Sequence, residues 1–255
     1  MNRKILVLAA AAVLAAFVLS CNKDDDKNNG NGTITMTTSK EGEVNFRLAG
    51  SGTITIDWKD GSEIETHTLQ EWENQWNKNR FSHNYSNSLT RTITVKGENI
   101  THLDCGMISI SLTNLDVSNC TKLEYLDCYY NKLTSLDVSK NSKLTYLRCS
   151  SNSLSSLDVS KCTALEQLDC NHNQLTGLDV SNSTALIDYG DWHALNVYYN
   201  LLDAAALNAL FGTLHSKTID VDRYRKTINI DGNPGRNTCD RSIAVNKGWV
   251  VIPNR

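Results

Sequence analysis

Three consecutive stretches of the chain are near copies: LEYLDCYYNKLTSLDVSKNSK from Leu123, LTYLRCSSNSLSSLDVSKCTA from Leu144 and LEQLDCNHNQLTGLDVSNSTA from Leu165. Each begins 21 residues after the last. A fixed period of this length marks a solenoid, in which a single coil cannot bury its own apolar side and must stack on its neighbours. Leu126 and Cys128 alternate with Tyr125, Asp127 and Tyr129, so the opening of each copy reads as a short strand with Leu and Cys turned inward.

The shared pattern L-x-x-L-x-C-x-x-N-x-L-x-x-L resembles the leucine-rich repeat, and its cysteine column resembles that of internalin-type repeats. Asn131, Asn152 and Asn173 are expected to turn the chain, their amides bonding backbone groups that a stacked turn hides from water. The L-D-V-S runs that follow are expected to bury Leu136 with Val138, Leu157 with Val159, and Leu178 with Val180.

The chain has eight cysteines, and their spacing sorts them. Cys105, Cys128, Cys149 and Cys170 share one inward strand position. Stacked strands hold equivalent side chains parallel and about 4.8 Å apart, whereas a disulfide needs Cβ atoms about 3.8 Å apart and facing each other. A ladder of buried free thiols is therefore expected, with no C-x-x-C pairing to suggest a metal site. Cys120 and Cys162 share a second column two coils apart and are also expected to be unpaired.

The coils are expected to span residues 100–202. The first, with Leu103, Cys105, Leu112, Leu115 and Val117, is two residues longer than the period and lacks the turn Asn, as terminal repeats do. In the fifth, Leu195, Val197, Asn200 and Leu202 match the pattern, but six extra residues intervene, at about Ile187 to Trp192. Insertions of this kind form loops and often line a binding face. Trp192 either contacts a ligand there or covers the edge of the core. Residues 203–255 read as an α/β cap. They comprise a helix capped by Asp203, a strand at Thr227–Ile230, the turn Gly232-Asn233-Pro234-Gly235, a short helix from about Asp240 and a strand at Trp249–Ile252.

Ahead of the coils the periodicity changes. Residues 33–99 alternate in short β-type runs, TITMTT, EVNFRLAG, TITIDW, EIETHTL and TRTITVKG, which predict a small β-sandwich. Trp72 and Trp76 read as part of an inserted helical turn packed on it. Residues 1–20, with Arg3 and Lys4 before an apolar run, predict a secretory signal. Ser20 directly before Cys21 resembles a bacterial lipobox, which implies lipidation at Cys21 and a stable membrane anchor. Asn22 to Asn31 hold no apolar residue, so residues 21–32 read as a solvated tether. The Lys23-Asp24-Asp25-Asp26 run resembles the export signal of Bacteroidota surface lipoproteins, or serves only to keep the tether soluble.

Trp58-Lys59-Asp60-Gly61, His83-Asn84-Tyr85 and Thr92-Ile93-Thr94-Val95 resemble the W-x-D-G … H-x-Y pattern of PKD-like, immunoglobulin-type domains, with Lys59 where the usual turn has Gly. The run GNPGRNTCDRSIAVNKGWVV resembles the C-terminal cap of Bacteroidota leucine-rich-repeat lipoproteins. The predicted fold is α+β, mostly β: an immunoglobulin/PKD-like sandwich at 33–99, a solenoid of 21-residue coils at 100–202, and the cap. The resemblance implies a non-catalytic surface lipoprotein in the outer membrane, facing the cell exterior, whose repeats bind protein or mediate adhesion.

A net charge of −3 without basic blocks gives no attraction to nucleic acid. No G-x-S-x-G, H-E-x-x-H, P-loop or Gly-rich dinucleotide turn is present, so no catalytic, cofactor or metal site is expected, and the chain is expected to be monomeric. What remains is the outward side of the strands, expected to carry three solvent columns. They are His102, Tyr125, Tyr146, Gln167 and Ala194; then Asp104, Asp127, Arg148, Asp169 and Asn196; then Gly106, Tyr129, Ser150, Asn171 and Tyr198. Tyr with Asp, Asn, Gln and Arg is the composition of a recognition surface and equally that of tolerated exposed strand residues. Five strands offer about 300–400 Å², against about 800 Å² per side for a standard protein interface. This face alone suits a peptide or an oligosaccharide, and a folded protein partner would need the sandwich or the Trp192 loop as well. Tyr125, Tyr129, Tyr146 and Tyr198 are the stacking platforms if the ligand is a glycan. A purely structural spacer is the third reading.

Overall fold

The computed structural model describes residues 32–71, 80–106, 110–189, 193–218 and 224–253. Residues 1–31, which hold the expected leader, Cys21 and all but the last residue of the expected tether, lie outside the described residues, as do Trp72, Trp76 and Trp192.

Among the described residues, five strands precede the coils: β1 (Gly32–Thr38), β2 (Gly42–Asp57), β3 (Glu65–Thr68), β4 (Arg80–Tyr85) and β5 (Arg91–Asp104). The alternation read from the sequence sends Ile34, Met36, Val44, Phe46, Ile54, Ile56, Ile93 and Val95 into a common core. β2 and β5 are long because each takes part in three ladders. The first half of β2 pairs with β4 and its second half with β3. The pairing of β2 with β5 slips between Ala49 and Gly50 and again between Ser51 and Ile54, and such irregularities bend a strand. Gly50 sits at φ +149°, and a Cβ there would lie 1.9 Å from Asn99 O, so only glycine lets the two backbones touch at the bend.

The Trp58, His83 and Tyr85 motif closes this unit. His83 stacks on Trp58 with centroids 4.9 Å apart, the Tyr85 hydroxyl donates to Trp58 O at 2.7 Å, and His83 Nε2 lies 2.6 Å from Asp60 Oδ2. Hydrogen bonds from Ser62, with His83 adding to them, hold the Asp60 carboxyl well below the usual carboxylate range.

The first half of β5 pairs with β1, while its end, His102–Asp104, pairs in parallel with the strand of the next coil. The expected division at 99/100 therefore falls inside one continuous strand. A second tie comes from β6 (Asn114–Asp116), which pairs antiparallel with β1. The regular coils contribute β7 (Tyr125–Asp127), β8 (Tyr146–Arg148) and β9 (Gln167–Asp169), stacked in parallel with Leu126, Leu147 and Leu168 in register. The ladder continues through β10 (Leu195–Asn196). Helix α1 (Ala204–Thr213) then leads to β11 (Thr227–Asn229), and α2 (Ser242–Val245) to β12 (Val250–Ile252). β11 and β12 are the fifth and sixth rungs after β5, so the cap extends the sheet as well as covering its end. Asp203 caps α1 by accepting from Ala206 N at 2.8 Å, and Leu207, Leu210 and Phe211 seal the core.

Asparagines join coil to coil. Asn131, Asn152, Asn173 and Asn200 each accept, through Oδ1, the backbone N–H of Leu112, Leu133, Leu154 and Leu175 in the preceding coil, at 2.7–3.0 Å. Each donates through Nδ2 to carbonyls of its own and the preceding coil. Asn233, read in the sequence as a plain turn residue, is a further rung of the same kind, bonded to Leu202 N. The residue before each of these asparagines is left-handed: Tyr130, Ser151, His172, Tyr199 and Gly232 have φ between 49° and 66°.

The thiols of Cys105, Cys128, Cys149 and Cys170 are free and fully buried, and burial raises each well above the ordinary range, which keeps them unreactive. Cys120 and Cys162 are free as well.

Candidate functional site

Strand register sets the three columns. Tyr125 lies opposite His102 on one side and Tyr146 on the other, and Tyr146 lies opposite Gln167. Tyr125 and Tyr146 stack ring on ring, 4.4 Å between centroids and 5° between planes, with His102 stacked on Tyr125 at 5.6 Å. Parallel strands place equivalent side chains one strand spacing apart, close to the centroid separation of offset-stacked rings, so neighbouring tyrosines fall into contact.

The second column is ionic. Arg47 of β2, Asp104, Asp127, Arg148, Asp169 and Asn196 occupy consecutive strands in one register line. Arg47 Nη1 lies 2.9 Å from Asp104 Oδ2, and Arg148 lies between Asp127 at 3.6 Å and Asp169 at 3.4 Å. The Arg148 guanidinium also sits over the Tyr129 ring, 3.9 Å from its centroid, a cation–π contact. Three carboxylates thus share two guanidiniums. Burial pushes the Asp127 carboxyl up to about 7, against the pull of the Tyr129 N–H and Arg148, and raises Asp169 as well.

This corrects the expectation of three solvent columns. Asp104, Asp127, Asp169 and Asn171 are buried, with at most 9% exposure, because the longer side chains of adjacent strands lie over them. Asn171 bonds Asp169 through both its backbone N–H and its side-chain amide. Tyr125, Tyr129, Tyr146, Arg148, Gln167, Asn196 and Tyr198 stay half-buried and present edges and tips. Tyr198 makes edge contacts with His172 and Tyr199. Sequence reasoning missed Arg47, whose place in the ionic column follows only once β2 is known to pair with β5.

The insertion in the fifth coil also shifts. Ile187 N bonds Glu166 O at 2.9 Å, as Glu166 N bonds Thr145 O at 2.8 Å, so the register persists through Ile187 and the extra residues enter after it. Asp188 then bridges to Arg225, and the Tyr189 hydroxyl donates to Glu166 Oε2 at 2.7 Å. Among the described residues no group of three or more His, Cys, Asp or Glu is placed to hold a metal ion. Among them, too, no helix is long and apolar enough to cross a membrane.

Residues 142–183 match the family model described as Leucine Rich repeats (2 copies). No curated protein matches the chain. Among solved structures, the chain is similar to the functional domain of InlJ from Listeria monocytogenes, described as including a cysteine ladder, at 32% identity and a TM-score of 0.35. That match covers 56% of this chain and 37% of the other, so it spans well under half of the InlJ domain.

Proposed function

We propose that this chain is a non-catalytic binding protein whose strand face takes a polypeptide partner, held at the outer surface of the cell through a lipid on Cys21. The leucine-rich repeats support the binding role, and the leader and the residues around Cys21 support the anchor. The N-terminal β unit is read as PKD-like on its Trp58–His83–Tyr85 contacts.

The observation that carries the polypeptide reading is how the aromatic rings are used. A sugar platform needs an open ring face, but Tyr125 and Tyr146 cover each other and Tyr129 lies under Arg148. What faces outward is a row of ring edges, phenol hydroxyls and charged tips, which suits the mixed donors, acceptors and apolar groups of a polypeptide.

Two experiments test the reading. Alanine at Tyr125, Tyr146 and Tyr198 together is expected to abolish capture of a protein partner while leaving the thermal midpoint of the repeats within a few degrees, and unchanged capture contradicts the site. Cys21→Ala is expected to move the chain from the membrane fraction to the soluble fraction, and retention in the membrane contradicts the anchor.

A further inference from the structure

The cap buries a cation that no strand column includes. Lys226, the residue before β11, is 5% exposed. Its Nζ donates to Lys217 O at 2.9 Å and to Lys247 O at 2.6 Å. An ammonium carries three donors, so one remains. A Cβ at Gly248 would come within 3.2 Å of this Nζ, so the glycine leaves that flank of the ammonium uncovered. Burial shifts the Lys226 ammonium downward from the ordinary lysine value.

Lys226 and Gly248 both line a cavity of about 520 Å³, within the range of small-molecule sites. Its wall brings Lys217, Arg225, Lys226 and Lys247 together with Tyr224 and Val250 and, among the described residues, no carboxylate. None of these four basic residues forms a salt bridge among the described residues. Lys247 Nζ is taken up by the end of α1, where it donates to Leu214 O at 2.9 Å. Arg225 is exposed, and its bonds among the described residues are backbone ones, to Asp188. The walls are fixed to the fold: Val250 N donates to Lys226 O at 2.8 Å, and Trp249 Nε1 to His215 O at 2.9 Å.

Joining two carbonyls needs only a neutral amide, as the coil asparagines show. A full charge that no carboxylate offsets is costly to bury, and an anion entering the cavity would offset it. We infer that this cavity binds a phosphate monoester on a sugar-sized body, with Lys226 as the buried anchor and Arg225 and Lys217 at the rim. Three cations facing no carboxylate suit a doubly charged group better than a singly charged one. Ser216 and Thr218 add hydroxyls to the wall, and Tyr224 and Val250 give it apolar surface, which together fit a sugar ring. The site is independent of the binding role proposed for the strand face.

The test is calorimetric titration of the full-length chain with glucose 6-phosphate, with glucose and glucuronate as the uncharged and singly charged comparators. Saturable binding of glucose 6-phosphate is expected, with glucuronate at least about five-fold weaker and glucose silent. Lys226→Met and Arg225→Gln are each expected to weaken binding about ten-fold, with Lys161→Gln, exposed on a coil, as the unaffected control. Lys226→Met leaves two carbonyls short of a donor, so its thermal midpoint is read alongside, and the exposed Arg225→Gln decides the matter where that variant does not fold. No heat from glucose 6-phosphate up to about 10 mM, or affinity unchanged in the folded variants, overturns the inference. Glucuronate bound as tightly as glucose 6-phosphate overturns the phosphate assignment. Binding that appears only after Asp220→Asn and Asp222→Asn, at positions outside the described residues, would mean that the chain's own carboxylates serve these cations, and overturns it as well.

Discussion

Asn233 accepts the Leu202 N–H at 3.1 Å and donates to Val197 O at 2.9 Å, repeating in the cap the contacts that Asn173 makes between regular coils. The cap is thus built on the backbone grammar of the repeats, despite the helix between β10 and β11. Both amides are buried, and alanine would leave a backbone N–H without its acceptor and take one of two donors from each of two carbonyls. Asn233→Ala and Asn173→Ala are each expected to destabilise the fold by about 3 kcal/mol, read from urea unfolding. A cost under about 1 kcal/mol at Asn233 would mean that the cap is held by apolar packing alone.

Arg148 is the only cation within salt-bridge reach of Asp127 and Asp169 among the described residues. Arg148→Met is expected to cost about 2 kcal/mol at pH 8, below the roughly 3–5 kcal/mol of a fully buried pair because the guanidinium side chain keeps part of its exposure. The cost is expected to shrink at pH 5, where Asp127 carries its proton. Equal costs at both pH values would contradict the assignment of the proton.

The Asp127 carboxyl titrates at about 7 in the folded chain and at about 3.9 when unfolded. Between these values the folded state binds more protons, so its contribution to stability is complete below about pH 4 and is lost as the pH rises to about 7. Asp169, also raised by burial, acts in the same direction. Chemical denaturation at a series of pH values is expected to show stability falling across this window, and Asp127→Asn is expected to reduce the slope. Asp60, whose pKa is lowered, works the other way, with its contribution present above about pH 4 and lost in stronger acid. A slope unchanged in Asp127→Asn would place the titrating group elsewhere.

Gly50 sets the bend that lets β2 pair with β4, β3 and β5. Gly50→Ala is expected to cost at least about 3 kcal/mol, since the new methyl meets backbone rather than a movable side chain. Gly177→Ala, where a Cβ meets nothing within 4 Å, is expected to be nearly neutral and serves as the control.

Much of this was legible in the chain. The 21-residue period gave the strand register, and with it the tyrosine and aspartate columns, because in a parallel stack equal spacing in sequence becomes adjacency in space. Three things were hidden. Asn233 falls 33 residues after Asn200, beyond an intervening helix, so the period no longer points to it. The two roles of β5 were masked by Gly97 and Asn99, which read as a break between the alternation of Thr92–Val95 and the inward Leu103. Burial of Asp127 and Asp169 was missed because alternation tells which side a residue faces, not whether its neighbours close over it.

Photo-crosslinking from benzoylphenylalanine tests the central claim most directly. The probe is placed at Gln167, on the strand face, or at Ser156, exposed on the returning side of the preceding coil between buried Leu154 and Leu157. The full-length chain is irradiated in an extracellular protein mixture, and the adducts are read by mass. A discrete polypeptide adduct from position 167, lost when Tyr125 and Tyr146 are alanine and absent from position 156, is the predicted result. Equal adducts from both positions, or adducts from 156 alone, would contradict the strand face as the binding surface.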